Sequence, residues 1–369
     1  SPLILTIDDT LQSVIYGLLE SYIEGKKGAS VVVLDPRSGA VRALVSYPGY
    51  DSNRFGSSLT QKEFNEILNH PLNPLFNRAI AGEFPAGSTI KPLIGAAALQ
   101  ENLVDLKRQI YDEGFITVPN PYDPANPAIF KDWRPQGWID FYDAIAYSAN
   151  VYFYMIGGGY KDQKGLGIDR IKKYATLFGL GTRLGIDIPW EKPGLIPDPE
   201  TKKATEPSNS MWRIGDTYNV SIGQGGVKVT PLQMAAVTAA IANGGLLYKP
   251  YVLEALLDKE GNAVEKTEPK IIREGMVGHS PLEEVKKGMA GTVTYGTARI
   301  LRDLPVSVGA KTGTAQAGAV LPHAWITAFA PLENPEIAIV VMVERAGEGS
   351  TVAAPITREI MNWYFTHRK

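Results

Sequence analysis

Near the start of the chain, Leu11, Val14, Ile15, Leu18, Leu19 and Ile23 recur every three or four positions behind Asp8 and Asp9. That spacing predicts an amphipathic helix with an aspartate at its N-cap. Ahead of it, Ser1-Pro2-Leu3-Ile4-Leu5-Thr6 reads as a strand. Behind it the period changes. Ala29-Ser30-Val31-Val32-Val33-Leu34 and Ala40-Val41-Arg42-Ala43-Leu44-Val45 flank the turn Asp35-Pro36-Arg37-Ser38-Gly39, which predicts a β-hairpin. A second hairpin is predicted near the other terminus, with strands over 324–330 and 337–343 around Pro331-Leu332-Glu333-Asn334-Pro335. A helix from Pro355 to Phe365 follows.

Between these ends the signals are mostly helical. Thr230-Pro231-Leu232-Gln233 has the form of a capping box with proline at the first helical position, and Asn243-Gly244-Gly245 ends that helix. Ser280-Pro281-Leu282-Glu283 repeats the device before Val285 to Met289. Segments 251–257 and 263–266 flank Lys259-Glu260-Gly261-Asn262 as a surface hairpin. The stretch from Val118 to Gly137, rich in Pro, Asn and Asp, reads as a long ordered loop. Strands at both ends and helices between predict an α/β fold of the α+β type, its antiparallel sheet completed by both termini. One domain with two lobes accommodates this: a sheet lobe from about 1–60 and 250–369, and a mainly helical lobe over about 61–249.

Composition narrows the function. A chain of 369 residues with a formal charge of -2 has no basic excess with which to bind nucleic acid. There is no cysteine, which excludes disulfides and thiolate metal sites and fits an oxidising compartment. The four histidines, His70, His279, His323 and His367, show no metal-ligand spacing, so neither a metal nor a cofactor is expected. No apolar run approaches the roughly 20 residues that span a bilayer, and no secretory signal opens the chain. It reads as a soluble fragment of a longer protein whose targeting segment has been cut away.

Three strings carry the candidate chemistry. Ser88 follows Phe84-Pro85-Ala86-Gly87 and precedes an apolar helix, so it stands where a turn enters buried structure, beside free backbone N–H groups. Lys91 lies three residues on, on the same helical face. Burial and a neighbouring cation turn such an amine into a base for the serine proton, and Lys311 supplies the cation. Ser148-Ala149-Asn150 provides a hydroxyl that can relay a proton and an amide that can hold both Lys91 and a substrate carbonyl. Lys311-Thr312-Gly313-Thr314 is expected on a strand. Lys311 and the threonine hydroxyls suit a carboxylate, Gly313 admits a ligand backbone to the strand edge, and the Thr314 N–H can complete an oxyanion hole. Taken singly, each string has an ordinary structural reading: a capped helix, a turn and a strand. A phosphate loop is excluded for the third because Gly309-Ala310-Lys311-Thr312 breaks its required order.

Ser-x-x-Lys, a Ser-x-Asn element and Lys-Thr-Gly, in that order, form a known signature of penicillin-binding proteins and serine β-lactamases. Asn77-Arg78-Ala79, Ser221-Ile222-Gly223-Gln224-Gly225, Thr230 to Ala235, Lys311 to Gln316 and Ala353-Ala354-Pro355 extend the likeness. The chain resembles class B penicillin-binding proteins over essentially its whole length. Ser46 to Asp51 and Ala315-Gln316 resemble the elongation-type members more than the division-type ones. The resemblance implies the transpeptidase fold shared with serine β-lactamases, an antiparallel sheet flanked by helices with an all-helical subdomain. It implies a D,D-transpeptidase that cross-links peptidoglycan stem peptides ending in D-Ala-D-Ala, and that β-lactams acylate and inhibit. Ser88 is then the nucleophile, Lys91 the base, Ser148 and Asn150 the relay and amide, and Lys311, Thr312 and Thr314 the carboxylate site. Family members carry a membrane anchor and a pedestal domain, work on the extracytoplasmic face of the membrane, and partner a glycosyltransferase through those N-terminal parts.

Rival activities are a D,D-carboxypeptidase, a serine β-lactamase and, from another class, a β-lactam-sensing receptor domain. The β-lactamase needs a way to activate water, which the class A route supplies with a glutamate after the second motif, whereas Glu66-Ile67-Leu68-Asn69 precedes Ser88 and reads as a surface helix. His323 reads as a packed strand histidine. Trp133, Trp138 and Tyr152 read as core aromatics rather than a groove lining. Tyr295-Gly296-Thr297 resembles a family turn and receives no chemistry.

Overall fold

The computed structural model describes residues 2–56, 59–120 and 123–367. Its central antiparallel sheet has five strands, β1 (Ala29–Leu34), β2 (Val41–Tyr47), β3 (Gly309–Ala317), β4 (Val320–Ala330) and β5 (Ile337–Val343). Their spatial order is β3-β4-β5-β1-β2. Both terminal hairpins form as the pattern predicts, and β5 pairs with β1, Val340 opposite Val32, so the two ends of the chain share one sheet. The helices that position the site are α1 (Asp9–Ile23), α2 (Lys91–Gln100), α3 (Phe141–Ala146), α4 (Asn150–Gly158), α5 (Pro231–Ala242), α6 (His279–Thr294) and α7 (Ala354–His367).

β5 is an unbroken apolar run and β1 is interrupted by the buried Ser30 alone, because both faces of the sheet are covered. Val31, Val33, Ile339 and Val341 face Leu11, Ile15, Leu19, Ile356 and Ile360 of α1 and α7. Val32, Leu34, Ala338 and Val340 face the other core, which includes Leu93, Leu232 and Phe153. Asp8 caps α1 by accepting from Leu11 N at 3.0 Å. The capping box of α5 also forms: Gln233 N donates to Thr230 Oγ1 at 3.1 Å and Thr230 N to Gln233 Oε1 at 2.9 Å. Every residue of α5 is buried, which is why no amphipathic stripe marks it. The hairpin of 253–257 with 263–266 gains Leu3–Leu5 as a third strand.

Three expectations are corrected. Ser280 caps nothing, because α6 starts at His279 behind Gly278, whose N–H is fixed by Gln100 Oε1 at 2.7 Å. Ser280 and Pro281 therefore lie inside the first turn. The stretch from Val118 to Gly137 is not loop throughout, although Pro121 and Tyr122 lie outside the described residues. Ala128–Lys131 pairs antiparallel with Phe115–Val118, since Ile129 and Phe130 interrupt the polar cluster with a short strand signal. Trp133 and Trp138 are 54% and 66% exposed, so neither is core, whereas Tyr152 is. Their chain segment runs over the surface, where a tryptophan keeps its N–H solvated or paired.

Candidate active site

Ser88 sits in a short 3₁₀ turn, Gly87–Ile90, that runs directly into α2. Gly87 has φ +54 and donates its N–H to Gly223 O at 3.0 Å. A Cβ there would lie 3.0 Å from Thr314 O and 3.1 Å from Ala315 Cβ. On the far side of Ser88, a Cβ at Gly313 would come within 2.8 Å of Thr89 Cγ2. The residues before and after Ser88 are thus pressed against β3, which holds the half-buried serine beside that strand.

Lys91 is fully buried one helical step away. Its Nζ donates to Ser148 O and to Asn150 Oδ1, both at 2.7 Å, and meets Ser148 Oγ at 3.4 Å. The Phe153 ring lies 5.3 Å beneath it. Burial pushes this amine down to about 7, against the opposing pull of the Asp132 and Asp112 carboxylates. A neutral amine has two N–H bonds, matched here by two carbonyl oxygens, which leaves its lone pair free to take a proton.

Ser148 and Asn150 reach Lys91 because the chain turns sharply between α3 and α4. Ser148 adopts φ +62, a left-handed conformation uncommon for a side chain other than glycine, and its N–H returns to Ile145 O at 3.2 Å.

Lys311 is also fully buried, on the edge strand β3, with Nζ donating to Thr312 O at 2.9 Å. Burial and the nearby Lys91 hold it well below the usual lysine range. Thr312 is buried and shares a 2.6 Å hydroxyl contact with Thr297, while Thr314 is exposed. The strings at 88–91, 148–150 and 311–314 therefore share one neighbourhood. His323 is a packed strand residue: its Nδ1 accepts from Arg345 N at 3.3 Å and its ring meets Phe84 edge-on. Glu66 lies on an exposed helix, Gln61–Leu68.

Sequence reasoning missed Thr297, Asp112 and Asp132. The turn at Tyr295-Gly296-Thr297 was a usable signal: Thr297 N donates to Ala146 O at 3.1 Å, docking it beside the second string. Asp112 and Asp132 had none: Asp112 ends the short strand Ile110–Asp112, and Asp132 follows the strand Ala128–Lys131 inside the segment expected to be loop.

Residues 29–362 match the family model described as penicillin binding protein transpeptidase domain. The chain is 35% identical to peptidoglycan D,D-transpeptidase MrdA of Haemophilus influenzae over 99% of its own length and 56% of that protein. It thus spans little more than half of the curated relatives of that name. Among solved structures, Pseudomonas aeruginosa PBP2 in complex with WCK 5153 superposes with a TM-score of 0.85 at 31% identity, covering 99% of this chain and 76% of that one. PBP2 of Helicobacter pylori in complex with MreC gives a TM-score of 0.82 at 30% identity, covering 99% and 64%. Among the described residues, no helix is long and apolar enough to cross a membrane.

Proposed function

Because this chain belongs to the penicillin-binding protein transpeptidase family, we propose that it is the catalytic part of an elongation-type peptidoglycan D,D-transpeptidase, with Ser88 as its nucleophile. The observation that carries this reading is the buried Lys91 amine, held by Ser148 and Asn150 at 2.7 Å one helical turn from Ser88. An amine depressed to about 7 takes the Ser88 hydroxyl proton near neutral pH without being lost as a base.

The Ser88 oxygen attacks the penultimate D-Ala carbonyl of a stem peptide. Backbone N–H groups of Ser88 and Thr314 receive the developing oxyanion. The peptide C–N bond breaks, and the departing D-Ala nitrogen takes a proton from Lys91 through the Ser148 hydroxyl. The amine of a second stem peptide then attacks the ester and gives its proton to Lys91. The acyl C–O bond to Ser88 breaks, Lys91 passes that proton to the departing Ser88 oxygen, and the new amide bond is the cross-link. Lys311, Thr312 and Thr314 receive the terminal carboxylate. A negative charge beside Lys311 favours its protonated form, which in turn keeps Lys91 neutral. β-Lactams acylate the same serine and release slowly.

In the whole protein this catalytic part stands on the extracytoplasmic face of the membrane, held by an anchor and working with a glycosyltransferase of the elongation machinery. The two lobes at about 1–60 with 250–369, and 61–249, form one transpeptidase domain. The test is incubation with a donor pentapeptide ending in D-Ala-D-Ala and an acceptor stem amine, read by mass spectrometry. Cross-linked peptide with released D-Ala supports the reading; released D-Ala with only the hydrolysed tetrapeptide assigns a carboxypeptidase instead.

A further inference from the structure

The turn carrying Ser148 and Asn150 closes on Ala144 and Ile145 through its own backbone but is also held from outside. Ser148 is strained, and Ala149, at the N-cap of α4, offers no side-chain cap. One free N–H at the start of α4, that of Val151, is met from outside. Asp132 Oδ2 accepts from Val151 N at 2.9 Å, and Asp132 Oδ1 accepts from Trp133 N at 2.7 Å. Trp133 Nε1 in turn donates to Tyr147 O at 3.2 Å. One dipeptide, Asp132-Trp133, therefore grips the motif at the residue before it and the residue after it. A carboxylate at a helix start is also favoured by the unsatisfied N–H groups there.

Behind Asp132 lies Asp112, which is fully buried. Its Oδ1 accepts from Gly114 N at 2.7 Å, but among the described residues no N–H or O–H donor reaches its Oδ2. An ionised oxygen in that position is costly to leave unmet. A proton held between the two carboxyls satisfies it, and burial together with the neighbouring Asp132 pushes the Asp112 carboxyl up to about 7. A cation is the other way to satisfy such an oxygen. Among the described residues, no group of three His, Cys, Asp or Glu side chains is placed to hold one.

We propose that Asp132, backed by a proton shared with Asp112, is a positioning residue that holds Ser148 and Asn150 against the Lys91 amine and biases the charge on that amine. The proposal rests on Lys91 being the base for Ser88. Lys91 from α2 and Tyr154 from α4 face the pair, with Lys311 of β3 beyond Lys91. With its proton the pair carries one negative charge. Without it the pair carries two, and Lys91 is drawn towards its protonated, inactive form.

The test is the rate of Ser88 acylation by a penicillin, followed by intact-mass spectrometry across about pH 6 to 9, with a thermal melt for each variant. Asp132→Ala is expected to slow acylation by roughly tenfold or more, and Asp132→Asn, which keeps one oxygen for Val151 N, to recover part of the loss. Asp112→Asn keeps a hydrogen bond to Asp132 but cannot ionise, so the midpoint of the acid limb moves to lower pH. An unmoved midpoint in Asp112→Asn, or wild-type acylation in Asp132→Ala, overturns the proposal; so does a stoichiometric divalent metal in the purified protein. If Asp132→Ala does not fold, the Asp112→Asn profile decides. A wild-type chain that takes no adduct removes the functional reading itself, a different result from a wild-type adduct with insensitive variants.

Discussion

Two fully buried lysine amines lie so close that Lys91 opposes the charge on Lys311. Their different surroundings divide the labour. Lys91 meets two carbonyl oxygens and a hydroxyl, whereas among the described residues Lys311, on the edge strand β3, donates to the Thr312 carbonyl alone. Acylation should therefore fall as pH drops through about 7, when Lys91 becomes protonated. Lys91→Met keeps the volume but loses the base, and should lower the acylation rate by about 10²-fold or more while the chain still melts cooperatively. The stability sign follows from the same depression. Between about 7 and the ordinary lysine value, the unfolded chain binds more protons than the folded one, so stability rises with pH across that window. Lys91→Met loses the Lys91 share of that slope and keeps the share of Lys311, which burial also depresses. A pH series of acylation rates and melts on both proteins checks the two statements together; an acid limb that persists in neither or both of them contradicts the assignment.

At the scale of elements, the turn before α2 and the strand β3 depend on each other through glycine. Gly87 combines a positive φ with an approach to Thr314 so tight that a methyl group would lie 3.0 Å from its carbonyl oxygen and push the two apart. Gly87→Ala should cost about 1–3 kcal/mol and slow acylation, because the turn must retreat from β3 and take Ser88 with it. Calorimetry and the acylation rate should change together; a stable, fully reactive Gly87→Ala chain would show that this contact is incidental. Such close approaches explain what could be read from the sequence. The helix of Leu11 to Ile23, the hairpins at both ends and the capping box at Thr230 were legible because periodicity and cap chemistry are local. So were Ser88, Lys91, Ser148 and Lys311 as candidates, because short motifs carry them. The strand at Ala128–Lys131 and the grip of Asp132 on Val151 were not. They are fixed by pairing with distant segments, and the aspartates carry no periodicity to announce them.

Across the whole molecule, one sheet closed by both chain ends supports β3, and a helical region whose inner helices are buried on all sides supports Lys91 and Ser148. Burial of α2 is what makes its lysine chemically unusual: the same residue on a surface helix would stay protonated. The site thus exists only where the two regions meet, with Gly87 and Thr89 touching β3 and Lys91 touching the α3–α4 turn. The central claim is that this junction makes one hydroxyl, that of Ser88, reactive toward an acyl donor. Intact-mass spectrometry of the chain after brief exposure to a penicillin, followed by peptide mapping, tests it most directly. The account predicts a single long-lived adduct of one drug per chain, mapped to Ser88 and absent in Ser88→Ala. An adduct that persists in Ser88→Ala, or that maps to another residue, would contradict it.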